Sequence, residues 1–141
     1  MHSLESIRYL DVHYGDLSTS SEASAPALKA SYDALLTPLL LNSALSALRV
    51  NTPAYARLAL EAVGRARKLP NLPPAERAKA LYRGALAHVA LKEDDEAEAD
   101  LTEAAKLVPE DQAIVGELAK VKARVKAKKD NEKKKFKKMF A

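Results

Sequence analysis

The sequence predicts an all-α protein in which helix–turn–helix units stack as an α-solenoid and a long helix ends the chain. Composition supports this, because 48% of the 141 residues are hydrophobic but only 5% are aromatic, with Ala and Leu prevailing as in helical proteins. Periodicity supports it too, since apolar residues near position 100 recur at spacings of four, three and four, along one helix face. These residues are Ala97, Leu101, Ala104 and Val108. The absence of Cys excludes disulfides and thiolate metal sites.

The most regular unit covers residues 74–109. Small residues recur in both of its predicted helices, so that the two backbones can pack closely as an antiparallel pair. They are Ala78 and Ala85 in the first helix and Ala97 and Ala104 in the second. This layout resembles the tetratricopeptide (TPR) repeat, a helix–turn–helix of 34 residues. The aromatics of its consensus are mostly replaced, here by Leu81, His88 and Leu101.

A second TPR unit is predicted over residues 27–70. Three of its residues precede their counterparts in the other unit by the same 38 positions: Ala59 with Ala97, Val63 with Leu101 and Ala66 with Ala104. The residues in excess of a 34-residue period fall in two turns, where insertions cost little. Pro38 predicts a kink or a break of the first helix near Thr37. The apolar positions of that helix are Leu28, Tyr32, Leu35, Leu39, Leu45 and Leu48.

Capping residues mark where two of the helices begin. Thr52 is the predicted N-cap of one helix, with Pro53 at its first position. Asp94 or Asp95 is the predicted N-cap of a later helix, in which Asp95 and Glu98 would form a capping box.

Residues 1–14 are predicted to end a helix, with Leu4, Ile7 and Leu10 on one side, and to be the remnant of an N-terminal TPR repeat, because Ser6 aligns with Ala66 and Ala104 of the other two repeats. The rest of that repeat would precede the chain, and its absence would leave apolar surface without cover. We therefore expect self-association through the uncovered N-terminal helices. Residues 15–26, a Ser-rich polar stretch, are expected to be a flexible loop.

Residues 111–141 form a predicted capping helix with a basic extension. The apolar stripe that would cover the last repeat consists of Ile114, Leu118, Val121 and Val125. From Val121 onward ten Lys and Arg stand against two acids, a net charge of +8, so the other 120 residues carry −4 of the total +4. The extension is either a solvated Lys-rich helix or an amphipathic helix, with Phe136 and Phe140 four residues apart, that binds calmodulin or another acidic partner. Nucleic acid is not expected as a partner, because no base-stacking set of aromatics accompanies the charge.

The sequence contains no catalytic, cofactor or metal-binding constellation. His2, His13 and His88 are scattered, the four Gly are isolated and the Ser residues cluster in the predicted loop. We therefore expect no metal, no cofactor and no enzymatic activity. No membrane partner is expected, because the most apolar run, residues 35–48, is too short and too polar to span a bilayer. The expected location is the cytoplasm, with the nucleus as a second compartment.

Asn42, Lys79 and Arg83 form the candidate binding site. Lys79 and Arg83 are four residues apart on the first helix of a repeat, so both cations point the same way. Asn42 holds the place in its repeat that Arg83 holds in the next, and the first helices of stacked TPR units line one concave groove. One amide and two cations suit a carboxylate, because charge-assisted hydrogen bonds are strong. The alternative is a solvated helix face, on which Lys and Arg are common.

Long stretches of the chain resemble the C-terminal TPR domain of large cyclophilins, the cyclophilin 40 class of peptidyl-prolyl isomerases. They are residues 79–111 (KALYRGALAHVALKEDDEAEADLTEAAKLVPED) and 113–140, together with residues 39–48 (LLLNSALSAL) and 7–13 (IRYLDVH). The fungal members are the most similar, and FKBP-type immunophilins share much of the pattern.

The resemblance implies a function in protein binding. Members of the family are co-chaperones whose TPR domain binds the acidic C-terminal peptide of heat-shock protein 90, ending in Glu-Glu-Val-Asp, through a two-carboxylate clamp. The clamp positions of the second and third repeats correspond to Asn42, Lys79 and Arg83.

The sequence departs from the family in two ways. It has no isomerase domain, so the resemblance does not carry isomerase activity over to it. It also lacks the first helix of the first repeat, which supplies a Lys and an Asn of the clamp. At ~1.5–3 kcal/mol for each contact, their loss predicts an affinity lower by roughly 10²–10⁴-fold. The expected function is thus binding of the heat-shock protein 90 peptide through a partial clamp.

Overall fold

A computed structural model describes residues 25–141 and forms five α-helices and no strand within them. The helices are α1 (Ala25–Val50), α2 (Pro53–Arg67), α3 (Pro74–Ala90), α4 (Asp94–Leu107) and α5 (Gln112–Met139). Each helix packs against the next, and α1 also contacts α3. This is an all-α, TPR-like solenoid, so the predicted fold class is confirmed.

The helix pairs α1–α2 and α3–α4 occupy the ranges predicted for the two repeats, and the assignment of each pair to a repeat unit stays a prediction. The predicted remnant at residues 1–14 and most of the predicted loop at residues 15–26 lie outside the described residues. None of the helices over residues 25–141 is both long enough and apolar enough to cross a membrane.

Local chemistry explains where the helices begin. The hydroxyl of Thr52 accepts a hydrogen bond from the Tyr55 amide, and Pro53 is the first residue of α2, as the sequence predicts. Such a cap satisfies one of the amides that have no partner inside the helix. The carboxylate of Asp111 does the same for α5 by accepting from the amides of Ala113 and Ile114.

The predicted N-cap of α4 is wrong. Glu93 is the N-cap and its side chain forms no capping bond, so neither Asp94 nor Asp95 caps the helix, and Asp95 and Glu98 form no capping box. The reason is tertiary: the Asp94 carboxylate accepts hydrogen bonds from Nε and Nη2 of Arg124 on α5, at 3.1–3.3 Å. Inside the first turn the acidic side chains still interact favourably with the helix dipole.

Of the kink or break predicted near Thr37, the break does not occur, because α1 is continuous through Pro38, and the kink stays a prediction. A proline inside a helix costs about 3 kcal/mol. The face of α1 that packs against α2 and α3 offsets this cost by burying several apolar side chains. They are Leu36, Leu40, Leu41, Ala44 and Ala47.

The buried face of α1 agrees only in part with the apolar positions that the sequence suggested. Leu28 and Leu35, which the sequence analysis counted among its apolar positions, are exposed. Tyr32, Leu39 and Leu48 are partly buried at the edge of the core.

Two apolar clusters form the core, one around α1, α2 and α3 and the other around α3, α4 and α5. Small residues allow close helix crossings: a Cβ at Gly84 of α3 would come within 3.1 Å of Val63 Cγ1 on α2. The predicted stripe of α5 is confirmed, since Ile114, Val121 and Val125 are buried and Leu118 packs against the same cluster. The core therefore fixes α1 and α3 side by side, which positions the candidate site.

Candidate functional site

The structure places the three predicted site residues on the neighbouring helices α1 and α3. Nη1 of Arg83 donates a hydrogen bond to the Leu41 carbonyl of α1, at 2.5 Å. This contact holds the guanidinium beside the residue that precedes Asn42. We name the surface of α1 and α3 that carries these three residues the groove; within the described chain, no hydrogen bond joins the Asn42 side chain to Lys79 or Arg83.

Lys79 and Arg83 differ in how firmly they are held. Lys79 is about half exposed (48%), and its Nζ lies 3.8 Å from Oε1 of Glu76, one turn earlier on α3. Arg83 is partly buried. That burial lowers the pKa of its guanidinium, whereas the Glu76 carboxylate raises the pKa and the Arg49 cation lowers it. Because an arginine in a protein stays protonated, Arg83 keeps its charge.

Arg49 is a basic residue of the site that the sequence analysis missed. It lies in the last turn of α1, close enough to Arg83 for the two charges to interact. Its spacing from Asn42 could have identified Arg49 as a site residue, since seven residues are two turns and place both side chains on the same helix face. Arg49 and Arg83 therefore bring like charges together from two helices, an arrangement that favours an anion between them.

A cleft of about 700 Å³ lies between the first half of α1 and the loop that joins α2 to α3. Glu76 lines it and lies one turn from Lys79, so the cleft and the cationic pair share a wall. Other residues that line the cleft are Lys29, Asp33, Thr37, Pro38, Leu72 and Pro73. The site thus comprises a cationic part with one nearby acid and a larger cleft beside it. Its groups can hold a carboxylate through charge-assisted hydrogen bonds.

His88 belongs to a polar link between helices. Its Nδ1 lies 2.7 Å from Oε2 of Glu93, and its Nε2 lies 3.7 Å from Oδ2 of Asp100 on α4. Arg67 of α2 reaches the same Asp100, at 3.6 Å, and Glu103, at 3.8 Å. Burial raises the pKa of the Asp100 carboxyl, Arg67 and His88 lower it, and Glu103 raises it. These contacts join α2, α3 and α4, so we assign them to the fold rather than to the site.

No group of His, Cys, Asp and Glu side chains over residues 25–141 has the arrangement of a metal site. His2 and His13 lie outside the described residues.

Comparison with known proteins finds no family description that matches the chain. It does find relatives named peptidyl-prolyl cis-trans isomerase D. Those of two strains of Cryptococcus neoformans var. neoformans serotype D are each 42% identical over 137 residues, which is 96% of this chain. The protein of that name from Mycosarcoma maydis is 34% identical over 150 residues, or 97% of this chain.

The chain spans about a third of the length of these relatives, 36% in each case. The match therefore concerns one part of each relative and nearly all of this chain. Along nearly its whole length, the chain is similar to one part of these proteins named peptidyl-prolyl cis-trans isomerase D, in agreement with the resemblance that the sequence shows.

Proposed function

We propose that this chain is a protein-interaction module that binds the acidic C-terminal peptide of heat-shock protein 90, as a cytoplasmic co-chaperone of the cyclophilin 40 type. One observation carries the proposal: Arg83 is anchored to the Leu41 carbonyl, so its cation stands at a fixed place between α1 and α3. A fixed cation loses less conformational entropy on binding than a free one, which makes it a better carboxylate ligand.

Each of the three site residues would bind the peptide through a different donor group. An arginine has five N–H donors, and Arg83 uses a donor of Nη1 for Leu41, so others can bind a carboxylate. Lys79 exchanges its distant contact with Glu76 for a ligand oxygen. Asn42, exposed on α1, donates its amide N–H to the same terminal residue. Because two of the three donors are cations, they would bind an anionic group of the peptide, and we assign them the free C-terminal carboxylate.

We also propose that residues 1–141 contribute binding and not isomerase chemistry. The relatives are isomerases by name, but the match covers only 36% of their length. Within residues 25–141 the site has cations, an amide and one acid, which suit recognition of an anion. A prolyl isomerisation assay on this chain should give the uncatalysed rate. A rate above it that rises with protein concentration would contradict the proposal.

The direct test is a titration of the 141-residue chain into a dye-labelled peptide ending in Met-Glu-Glu-Val-Asp, followed by fluorescence anisotropy. The chain has no Trp, so the label supplies the signal. We expect saturable binding that is lost when the C-terminal carboxylate is amidated, because amidation removes the charge that Lys79 and Arg83 would hold. Absence of binding at millimolar peptide, or equal binding of the amidated peptide, would overturn the proposal.

A further inference from the structure

The end of α5 leaves the body of the protein. Val125 is the last buried residue of the chain, and every residue from 126 to 141 is exposed. The helix nevertheless continues to Met139, which is fourteen residues, or about 21 Å, beyond Val125 at 1.5 Å per residue. Residues 126–141, which we name the tail, therefore present all sides of a helix to the surroundings.

The tail carries a dense and unneutralised positive charge. It contains eight Lys between positions 126 and 138, against Asp130 and Glu132. None of these ten side chains makes an ion pair within 4.0 Å in the described chain. At 100° per residue, the lysines point in nearly all directions around the helix axis. This charge is thus available to an external anionic surface.

Three large apolar side chains close to the end of the tail are also exposed. Phe136, Met139 and Phe140 are 63%, 77% and 73% exposed, and the two rings lie together with their centroids 4.7 Å apart. They lie on the same helix side as Val121 and Val125, which are already buried against the body. A protein groove that binds an amphipathic helix contacts anchor residues at positions i, i+3, i+4 and i+7, which span about two turns. Here the free anchors lie within little more than one turn, with lysines on the remaining sides.

We propose that the tail binds the surface of anionic phospholipid membranes, with Phe136, Met139 and Phe140 entering the headgroup boundary and the lysines facing the lipid phosphates and carboxylates. Short apolar clusters surrounded by basic residues bind such surfaces without crossing them. The sequence analysis expected no membrane partner, because no segment can span a bilayer; the present proposal departs from that expectation, since a surface contact requires no spanning segment. The proposal concerns a different surface from the groove and does not depend on peptide binding.

The charge and the apolar side chains should contribute separately. Each lysine close to an anionic surface favours binding by about fivefold. This attraction falls with salt, because the screening length is about 8 Å at physiological ionic strength. The apolar contribution is not screened by salt, because it involves no charge. Binding should therefore require anionic lipid, weaken with salt and fall further when the rings are removed.

The test is co-sedimentation of the 141-residue chain with vesicles of phosphatidylcholine, with and without phosphatidylserine, at low and at physiological salt. We expect sedimentation only with phosphatidylserine. The variant Lys133→Gln, Lys134→Gln, Lys135→Gln should lose about 100-fold in partitioning. The variant Phe136→Ala, Phe140→Ala should lose about 100-fold, from the lost burial of two aromatic side chains. Because all five positions are exposed, both variants should keep the helical circular dichroism of the parent chain.

A charge-matched control separates the tail from the net charge of the protein. Lys68→Gln, Lys106→Gln, Lys120→Gln removes three exposed lysines from other parts of the chain, and it should sediment like the parent. No sedimentation with phosphatidylserine vesicles at low salt would overturn the proposal, as would equal losses in the tail variant and its control. Tight binding to calcium-loaded calmodulin without binding to vesicles would also overturn it and would assign the tail to an acidic protein partner.

Discussion

The protein has two cationic surfaces that differ in how their charges are held. In the groove, Arg83 is half-buried and bonded to the Leu41 carbonyl, and Lys79 lies near Glu76. In the tail, the lysines are exposed and none of those described forms an ion pair. Few, restrained charges beside a cleft favour a small ligand of defined geometry, whereas many free charges favour an extended surface. Charge density alone would have indicated the tail as the peptide-binding surface. The restraint on the Arg83 and Lys79 side chains indicates the groove instead.

The largest difference between the two surfaces is expected when both cations of the groove are removed. For Lys79→Ala, Arg83→Ala we expect the affinity for the Met-Glu-Glu-Val-Asp peptide to fall by roughly 10²–10⁴-fold, because two charge-assisted contacts of ~1.5–3 kcal/mol each are lost. Fluorescence anisotropy measures the affinity. Vesicle sedimentation of the same variant should match the parent. If both activities fell together, the two surfaces would not be separate.

A second experiment tests whether the tail contributes to the stability of the folded body, as the core residues do. Leu101→Ala should lower the free energy of unfolding by about 2–5 kcal/mol, because Leu101 is fully buried between α3, α4 and α5. A chain that ends at Ala127 should change it by no more than ~0.5 kcal/mol, as exposed positions usually do. Urea unfolding followed by circular dichroism compares them. A strongly destabilised truncation would show that the tail supports the body.

The geometry of the groove can be tested at constant charge. Arg83→Lys keeps the cation but removes the planar fork that reaches both the Leu41 carbonyl and a ligand. We expect about a tenfold loss of peptide affinity, from one hydrogen bond to a charged group, measured by the same titration. As the control for the tail, Lys134→Arg should leave vesicle binding unchanged. Full peptide affinity in Arg83→Lys would indicate that charge, and not restraint, defines the groove.

The smallest expected effect is a gain. Glu76 lies 3.8 Å from Lys79 and interacts with Arg83, so it competes with an incoming carboxylate. Glu76→Gln removes this competition and should raise peptide affinity about two- to fivefold, since partly exposed pairs are worth ~0.2–1 kcal/mol. The gain should shrink at high salt, where screening already weakens the pair. A loss of affinity would show that Glu76 positions Lys79 for the ligand.

The two ends of the solenoid differ in how well their packing could be predicted from the sequence. In α5 four of the five large aliphatic residues before the tail lie along one face, so their period alone identifies Ile114, Val121 and Val125 as buried. In α1 the apolar residues surround most of the helix, and the period does not single out one face. The predicted positions Leu28 and Leu35 are exposed, because contacts with α2 and α3 select the neighbouring face.

The candidate site likewise has features that the sequence could predict and features that it could not. The sequence by itself determined the all-α fold and the i, i+4 pair of Lys79 and Arg83, because these depend on composition and on spacing within one helix. Only the tertiary structure decided that Arg83 binds the Leu41 carbonyl and approaches Arg49. Those contacts join residues that are 42 and 34 positions apart, and packing of separate helices fixes such distances, which no local pattern encodes.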